Sequence, residues 1–128
     1  MIFVDIVIAL AAIQFIVFAM QVGAARGRFG VKAPAVTGNE TFERYFRVQQ
    51  NTLELLVVFL PAIYLFSRHV SAPWAAGLGA VYLLGRQLYA MTYVKNPASR
   101  GPGFALSMLP VMLMLLGGAG AAIWQQIR

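Results

Sequence analysis

The stretch MIFVDIVIALAAIQFIVFAMQVGAA, Met1 to Ala25, carries one charged residue, Asp5, and no basic residue before Arg26. As a helix it would rise about 37 Å, more than the ~30 Å hydrocarbon core of a bilayer. A secretory leader has a basic start and a short apolar middle. This segment has neither, so the reading is a retained membrane-spanning first helix. Gln14 and Gln21, seven apart, share one of its faces, either for hydrogen bonding between helices or for contact with a ligand.

Working outward, three more segments long enough to span follow in the remaining chain. Arg26 to Thr41 reads as a loop with Arg26, Arg28, Lys32, Pro34 and Gly38, and Asn39 or Thr41 is placed to cap the next helix. The second helix is expected from Phe42 to Ser67, charged in its first half, apolar from Leu55 to Phe66, and bent at Pro61. A tight turn, Arg68 to Pro73, leads to a third helix from Trp74 to Lys95. Ala75, Ala76, Gly77, Gly79 and Ala80 suit it to close packing. A short loop, Asn96 to Gly103, precedes a fourth helix from Phe104 to Gln126, in which Gly117, Gly118 and Gly120 again permit close approach. Trp74 and Trp124 are placed for an interfacial belt. The expected fold is therefore all-α and integral to the membrane: a four-transmembrane-helix bundle, one domain over residues 1–128.

Composition supports this. Of 128 residues 60% are hydrophobic and 11% charged, too few polar groups to clothe a soluble domain of this size. The net charge of +6 would suit nucleic acid in a soluble protein, but here the basic residues flank apolar runs, and no nucleic-acid partner is expected. Cysteine is absent and histidine occurs once. Disulfides, thiolate nucleophiles and a protein-ligated transition metal are thereby disfavoured. Arg26, Arg28, Lys32, Lys95 and Arg100 gather on the first and third loops. Arg68, His69 and Arg128 lie on the other side. The positive-inside rule then places the first and third loops in the cytoplasm and both termini outside.

Two polar stripes interrupt the apolar pattern. Arg47, Asn51 and Glu54, at offsets of four and seven, fall within about 60° on one helical face. A cation, an amide and a carboxylate facing one way make either a surface for a zwitterion or a polar network at a subunit contact. On the third helix Tyr82, Arg86, Tyr89 and Tyr93 also share a face. Arg86 lies well inside the helix, where an arginine costs about 2.5 to 3.5 kcal/mol, so it needs a partner. Glu54 is the expected one, in a structural or a functional pair. Arg100 just precedes the fourth helix. It is either an anion site, formed by a guanidinium beside unpaired backbone N–H groups, or a plain basic anchor.

The segment Phe42-Glu43-Arg44-Tyr45-Phe46-Arg47-Val48-Gln49-Gln50-Asn51-Thr52-Leu53-Glu54 resembles the second-helix signature of the MAPEG superfamily of microsomal glutathione transferases and eicosanoid enzymes. Arg86-Gln87-Leu88-Tyr89, Tyr93 and Arg100 resemble its third-helix pattern, and the layout of four helices and a long first loop matches throughout. The resemblance implies a homotrimer with glutathione as co-substrate, bound between subunits near the cytoplasmic face. Arg47, Asn51 and Glu54 would hold the charged ends of the tripeptide with Gln49 beside them. Tyr89 and Tyr93 would contact it from the adjacent subunit, Arg26 would reach it from the end of the first helix, and Arg100 would stabilise the thiolate as the catalytic group. Arg86 would be structural or support these residues from behind. Leukotriene C synthase has tyrosine at the position of Leu55 and arginine at that of Gly27, with Arg28 one residue displaced. A general transferase or peroxidase is favoured over leukotriene chemistry.

The chemistry such a site must do is modest. A thiol of pKa about 8.5 is about 3% ionised at pH 7, and lowering it by about two units takes about 2.7 kcal/mol of preferential stabilisation of the anion. A guanidinium beside a helix N-terminus suffices in a partly dry site. Glutathione would come from the cytoplasm and an apolar electrophile from the lipid. The expected protein is a membrane glutathione transferase, with possible reduction of lipid hydroperoxides. It would lie in the inner membrane if bacterial, as the cysteine-free, Ala/Gly-rich composition suggests, and in the endoplasmic reticulum if eukaryotic. The alternatives are a non-catalytic lipid-binding scaffold of the same superfamily, and a small transporter using Glu54 and Arg86. The transporter reading lacks the inverted repeat that would support it.

Overall fold

A computed structural model describes all residues, 1–128. Four helices follow in order: α1 Ile2–Phe29, α2 Glu40–His69, α3 Ala72–Lys95 and α4 Gly101–Ile127, with a single 3-10 turn, Pro97–Ser99, before α4. With 24 to 30 residues each they are about 36 to 45 Å long, sufficient to cross a bilayer. The short connections make successive helices antiparallel. α4 packs on α2 and α3, and α1 covers the other side of the same pair.

The boundaries differ from the sequence reading at the charged ends. α1 continues through Arg26 and Arg28 to Phe29, because arginine is a good helix former. It stops at Gly30, which adopts φ 70° and donates its N–H to the carbonyl of Arg26, as a left-handed C-terminal cap requires. α2 begins at Glu40. Its cap is Asn39, whose Oδ1 accepts the Phe42 N–H at 2.9 Å, while Glu43 Oε2 accepts the Gly38 N–H at 3.2 Å. Asn39→Ala should therefore cost about 1 kcal/mol, read as a lowered thermal midpoint. α2 runs unbroken through Pro61. α4 begins at Gly101, so the expected eight-residue loop shrinks to a 3-10 turn, and Arg100 becomes the N-cap residue of α4.

The core is built on the α2 face that carries Leu55, Phe59, Ala62, Ile63 and Phe66, met by Val4, Val7 and Ala11 of α1, Ala75 and Tyr82 of α3, and Val111 and Met114 of α4. Gly79 lies against Val7 and Ile63, and Gly118 against the backbone of Leu65 and Phe66. Those two glycines draw the helices together, whereas Gly77 and Gly120 face open space. Gln14 Nε2 donates to the Leu83 carbonyl at 2.9 Å, which supports the helix-packing reading for that residue; Gln21 is exposed.

Only 29 of 128 residues are buried, and Phe3, Met20, Leu84, Leu109 and Leu116 are all at least 64% exposed. So large an apolar surface suits lipid, not water. α1, α2 and α4 are each long and apolar enough to cross a membrane. α3 is long enough, but Arg86 and Gln87 interrupt its apolar run, so it joins the bundle by packing. Arg86 points inward and is fully buried. Trp74 and Trp124 are both exposed at the end where α2 meets α3. At that end His69 Nδ1 and Gln125 Oε1 lie 3.0 Å apart, and Gln125 Nε2 donates to the His69 carbonyl.

Candidate functional site

The other end of the bundle gathers the C-terminal turns of α1 and α3 with the N-terminal turns of α2 and α4. Arg44 joins two of these. Its guanidinium pairs with Glu40 at 3.0 Å and donates to the carbonyls of Val94 and Lys95, at 3.1 and 3.3 Å, where α3 ends. Those carbonyls lack helical partners and carry the negative end of the α3 dipole. The clamp defines one wall of a crevice of about 360 Å³, lined also by Val36, Glu43, Phe46, Arg47, Tyr93 and Pro97.

The stripe on α2 is borne out in its phase. Arg47 and Glu54 are exposed and Asn51 between them is half-buried. Arg47 faces the crevice, while Asn51 and Glu54 line a narrower groove between α2 and α4, about 150 Å³, with Leu55, Val58, Phe104 and Met108. One face of α2 thus leads from a charged mouth into an apolar slot.

Arg86 does not pair with Glu54. Its Nη1 donates to Asn51 Oδ1 at 2.8 Å and to Thr52 Oγ1 at 3.3 Å, and its Nη2 donates to Ser107 Oγ at 2.9 Å. The guanidinium carbon lies 4.3 Å from the centre of the Tyr89 ring. The rotation of α2 explains the correction: it turns Asn51 and Thr52 toward α3 and leaves Glu54 facing outward. Three neutral oxygens then take the donors that a carboxylate would have used. The chain's one ion pair is Arg44–Glu40.

The tyrosine stripe divides. Tyr82 is fully buried, stacked on Phe59 at 4.1 Å, and belongs to the core. Tyr89 is buried beneath Arg86 and stacks on Tyr93 at 5.4 Å. Tyr93 is half-buried and shares the crevice with Arg47 of its own chain. Tyr89 and Tyr93 therefore lie toward the same side of one subunit as Arg47.

Gln49 and Arg26 occupy a different side. Gln49 is about 160° around α2 from Arg47 but within about 20° of Phe42. Arg26 lies over the Phe42 ring, its guanidinium carbon 4.9 Å from the centre, with Nη1 donating to the Ala35 carbonyl at 2.6 Å. Arg26 thus pins the first loop to α2.

Arg100 is exposed, and its Nη1 donates at 3.0 Å to the carbonyl of Pro97, a residue of the crevice wall. It caps α4 in position only: no side chain accepts from the first turn of that helix. A cation at the positive end of a helix dipole is unfavourable by some tenths of a kcal/mol unless an anion joins it.

Sequence reasoning missed Arg44, Thr52 and Ser107. A signal existed for Ser107, the sole hydroxyl-bearing residue in the apolar length of α4. For Arg44 the spacing signals only the Glu40 pair; its backbone acceptors lie 50 and 51 residues away, beyond any periodicity.

The sequence profile of the MAPEG family matches residues 4–120. An uncharacterised protein of the cyanobacterium Synechocystis is 47% identical over 120 residues, covering 94% of this chain and 88% of its own length. Human microsomal glutathione S-transferase 2 is 41% identical over 114 residues, covering 88% of this chain and 78% of its own. The mouse protein of the same name is 39% identical over 111 residues, covering 83% and 76%. With helices of this length and apolarity in this order, and a family match over nearly its whole length, the chain is an integral membrane protein belonging to the MAPEG family.

Proposed function

We propose that this protein is a membrane-bound glutathione transferase that conjugates glutathione to apolar electrophiles. The observation that carries the reading is Arg100: an exposed guanidinium at the uncapped N-terminus of α4, against the crevice that holds Arg47 and Tyr93. Both charges there favour an anion, and a thiol brought to that place would ionise. The thiolate attacks an electrophilic carbon, a C–S bond forms, and the leaving group departs with its electron pair. With a lipid hydroperoxide the same thiolate attacks the O–O bond, and a second glutathione completes the reaction to alcohol, water and disulfide. Relatives named as microsomal glutathione S-transferases support this choice of thiol.

The two-sided arrangement supports an oligomeric site. Arg47, Asn51, Glu54, Tyr89, Tyr93 and Arg100 lie toward one side of a subunit, and Arg26 and Gln49 toward another. A homotrimer in which one subunit's first side meets its neighbour's second would bring all of them to one tripeptide. The positive charge of the first and third loops favours the cytoplasmic face for that site, of the inner membrane in a bacterium. The apolar slot of Leu55, Val58, Phe104 and Met108 opens a route from lipid to the sulfur.

The test uses purified protein in lipid nanodiscs. Adding glutathione should produce thiolate absorbance at pH 7, and a general aryl halide should be conjugated. A protein that gives neither signal, but is stabilised against heat by fatty acid alone, is a lipid-binding scaffold and not a transferase.

A further inference from the structure

Arg86 is fully buried and has no carboxylate partner in the chain. A buried cation left among neutral acceptors is expensive, and an apolar side chain or a nearby acid would serve packing better. What Arg86 does to its neighbours gives it another use. A guanidinium can only donate hydrogen bonds, so the atom of Asn51 that faces it at 2.8 Å is the carbonyl oxygen. The amide NH₂ of Asn51 must then point the other way. It makes no hydrogen bond within the chain, and Asn51 lines the groove with Glu54 and Phe104. The second arm of the guanidinium holds Ser107 Oγ at 2.9 Å, and that hydroxyl donates to the Gly103 carbonyl at 2.9 Å, in the first turn of α4.

We infer that Arg86 is a positioning residue: its fork locks the Asn51 amide with the donor face toward the glutathione site and ties that amide to the first turn of α4 behind Arg100. The inference rests on the glutathione reading above. It deepens that reading by assigning Asn51 the role of a donor to an acceptor oxygen of the tripeptide, whether carboxylate or peptide carbonyl. Aspartate at 51 would neutralise Arg86 but would offer an anion where a donor is required. That accounts for a neutral amide beside an uncompensated buried charge.

The experiment measures KM for glutathione, kcat at saturation and thermal midpoint for the intact protein in nanodiscs. Asn51→Asp retains an acceptor for Arg86 and removes the donor. It should fold with a midpoint at or above that of the unsubstituted protein, raise KM about tenfold, and leave kcat within about twofold. Arg86→Lys keeps the charge but cannot reach Asn51 and Ser107 together, and should show the same KM-against-kcat split. If Arg86→Lys fails to fold, Asn51→Asp and Ser107→Ala carry the test, Ser107→Ala raising KM by a smaller factor. An Asn51→Asp protein of unchanged KM shows that the amide merely solvates Arg86, and overturns the inference. A kcat loss at unchanged KM overturns it as well. If the unsubstituted protein binds no glutathione, the transferase reading itself fails and takes this inference with it, a result distinct from either of the others.

Discussion

Arg100→Ala should lower the ionised fraction of bound glutathione at pH 7 from about three-quarters to about 3%, a drop of about 25-fold in thiolate absorbance, if the site depresses the thiol pKa by about two units from 8.5 and the guanidinium supplies the whole of that depression. The sign follows from which form the arginine favours. A guanidinium and a helix N-terminus stabilise the anion, so the bound pKa lies below the free one, and removing the cation raises it. The difference is therefore greatest between the two values, about pH 6.5 to 8.5, and is small at pH 10, where even an unassisted thiol is ionised. Binding obeys the same linkage. At pH 5.5 both proteins bind the neutral thiol and their Kd values should agree; at pH 7 the variant should be about fourfold weaker, and at pH 9 about 75-fold. Turnover at pH 7 should fall by less than the thiolate signal, because a more basic thiolate is a better nucleophile. Calorimetric titration with glutathione across that range checks the result. A Kd ratio that does not change with pH would show that Arg100 contacts some other part of the ligand or none of it.

Legibility of the fold followed charge. The helix count could be read from the runs between loop signals, because Met1 to Ala25 and the segments after it are each long enough to span, although only α1, α2 and α4 are also apolar enough to do so on their own. The ends could not, since Arg26 and Arg28 mark a membrane boundary without breaking a helix. The consequence was largest at Arg100, which the sequence left in a loop and the structure makes the N-cap of α4. In the site, the phase of Arg47, Asn51 and Glu54 was legible, because offsets of four and seven fix an angle whatever surrounds them. The partner of Arg86 was not. Complementary charge points to Glu54, but the rotation of α2 about its axis decides which residue arrives. A turn of tens of degrees substitutes Asn51 and Thr52 for the acid. The side on which Tyr93 lies depends on the same rotation. Sequence periodicity relates residues on one helix and is silent about the angle between two.

α3 and α4 cross with their backbones in close approach, and there the second large effect is expected. A Cβ on Gly85 would lie 2.5 Å from the Ser107 nitrogen and 2.6 Å from the Leu106 carbonyl carbon. A Cβ on Gly103 would lie 2.5 Å from the Tyr89 Cα and also meet the Tyr89 nitrogen. Both clashes are with backbone, so no rotamer change relieves them and the helices must part. Overpacking of this kind costs about 1 to 3 kcal/mol, and contact with main chain puts Gly103→Ala toward the upper end. In a chain of this length about 3 kcal/mol corresponds to a fall on the order of 10 °C in the thermal midpoint. Gly120→Ala supplies the contrast: with nothing within 4 Å of the added carbon, the better helix propensity of alanine should raise stability by up to about 1 kcal/mol. The same chemical change thus has opposite signs at two helical glycines of α4, and thermal denaturation in nanodiscs reads both. Gly103→Ala should also disturb the site, because Ser107 and Tyr89, the neighbours of the Arg86 fork, lie at this crossing. A protein that accepts alanine at 103 and 120 with equal ease does not hold α3 and α4 this close, and the Arg86–Ser107 hydrogen bond would lose its basis along with the crossing.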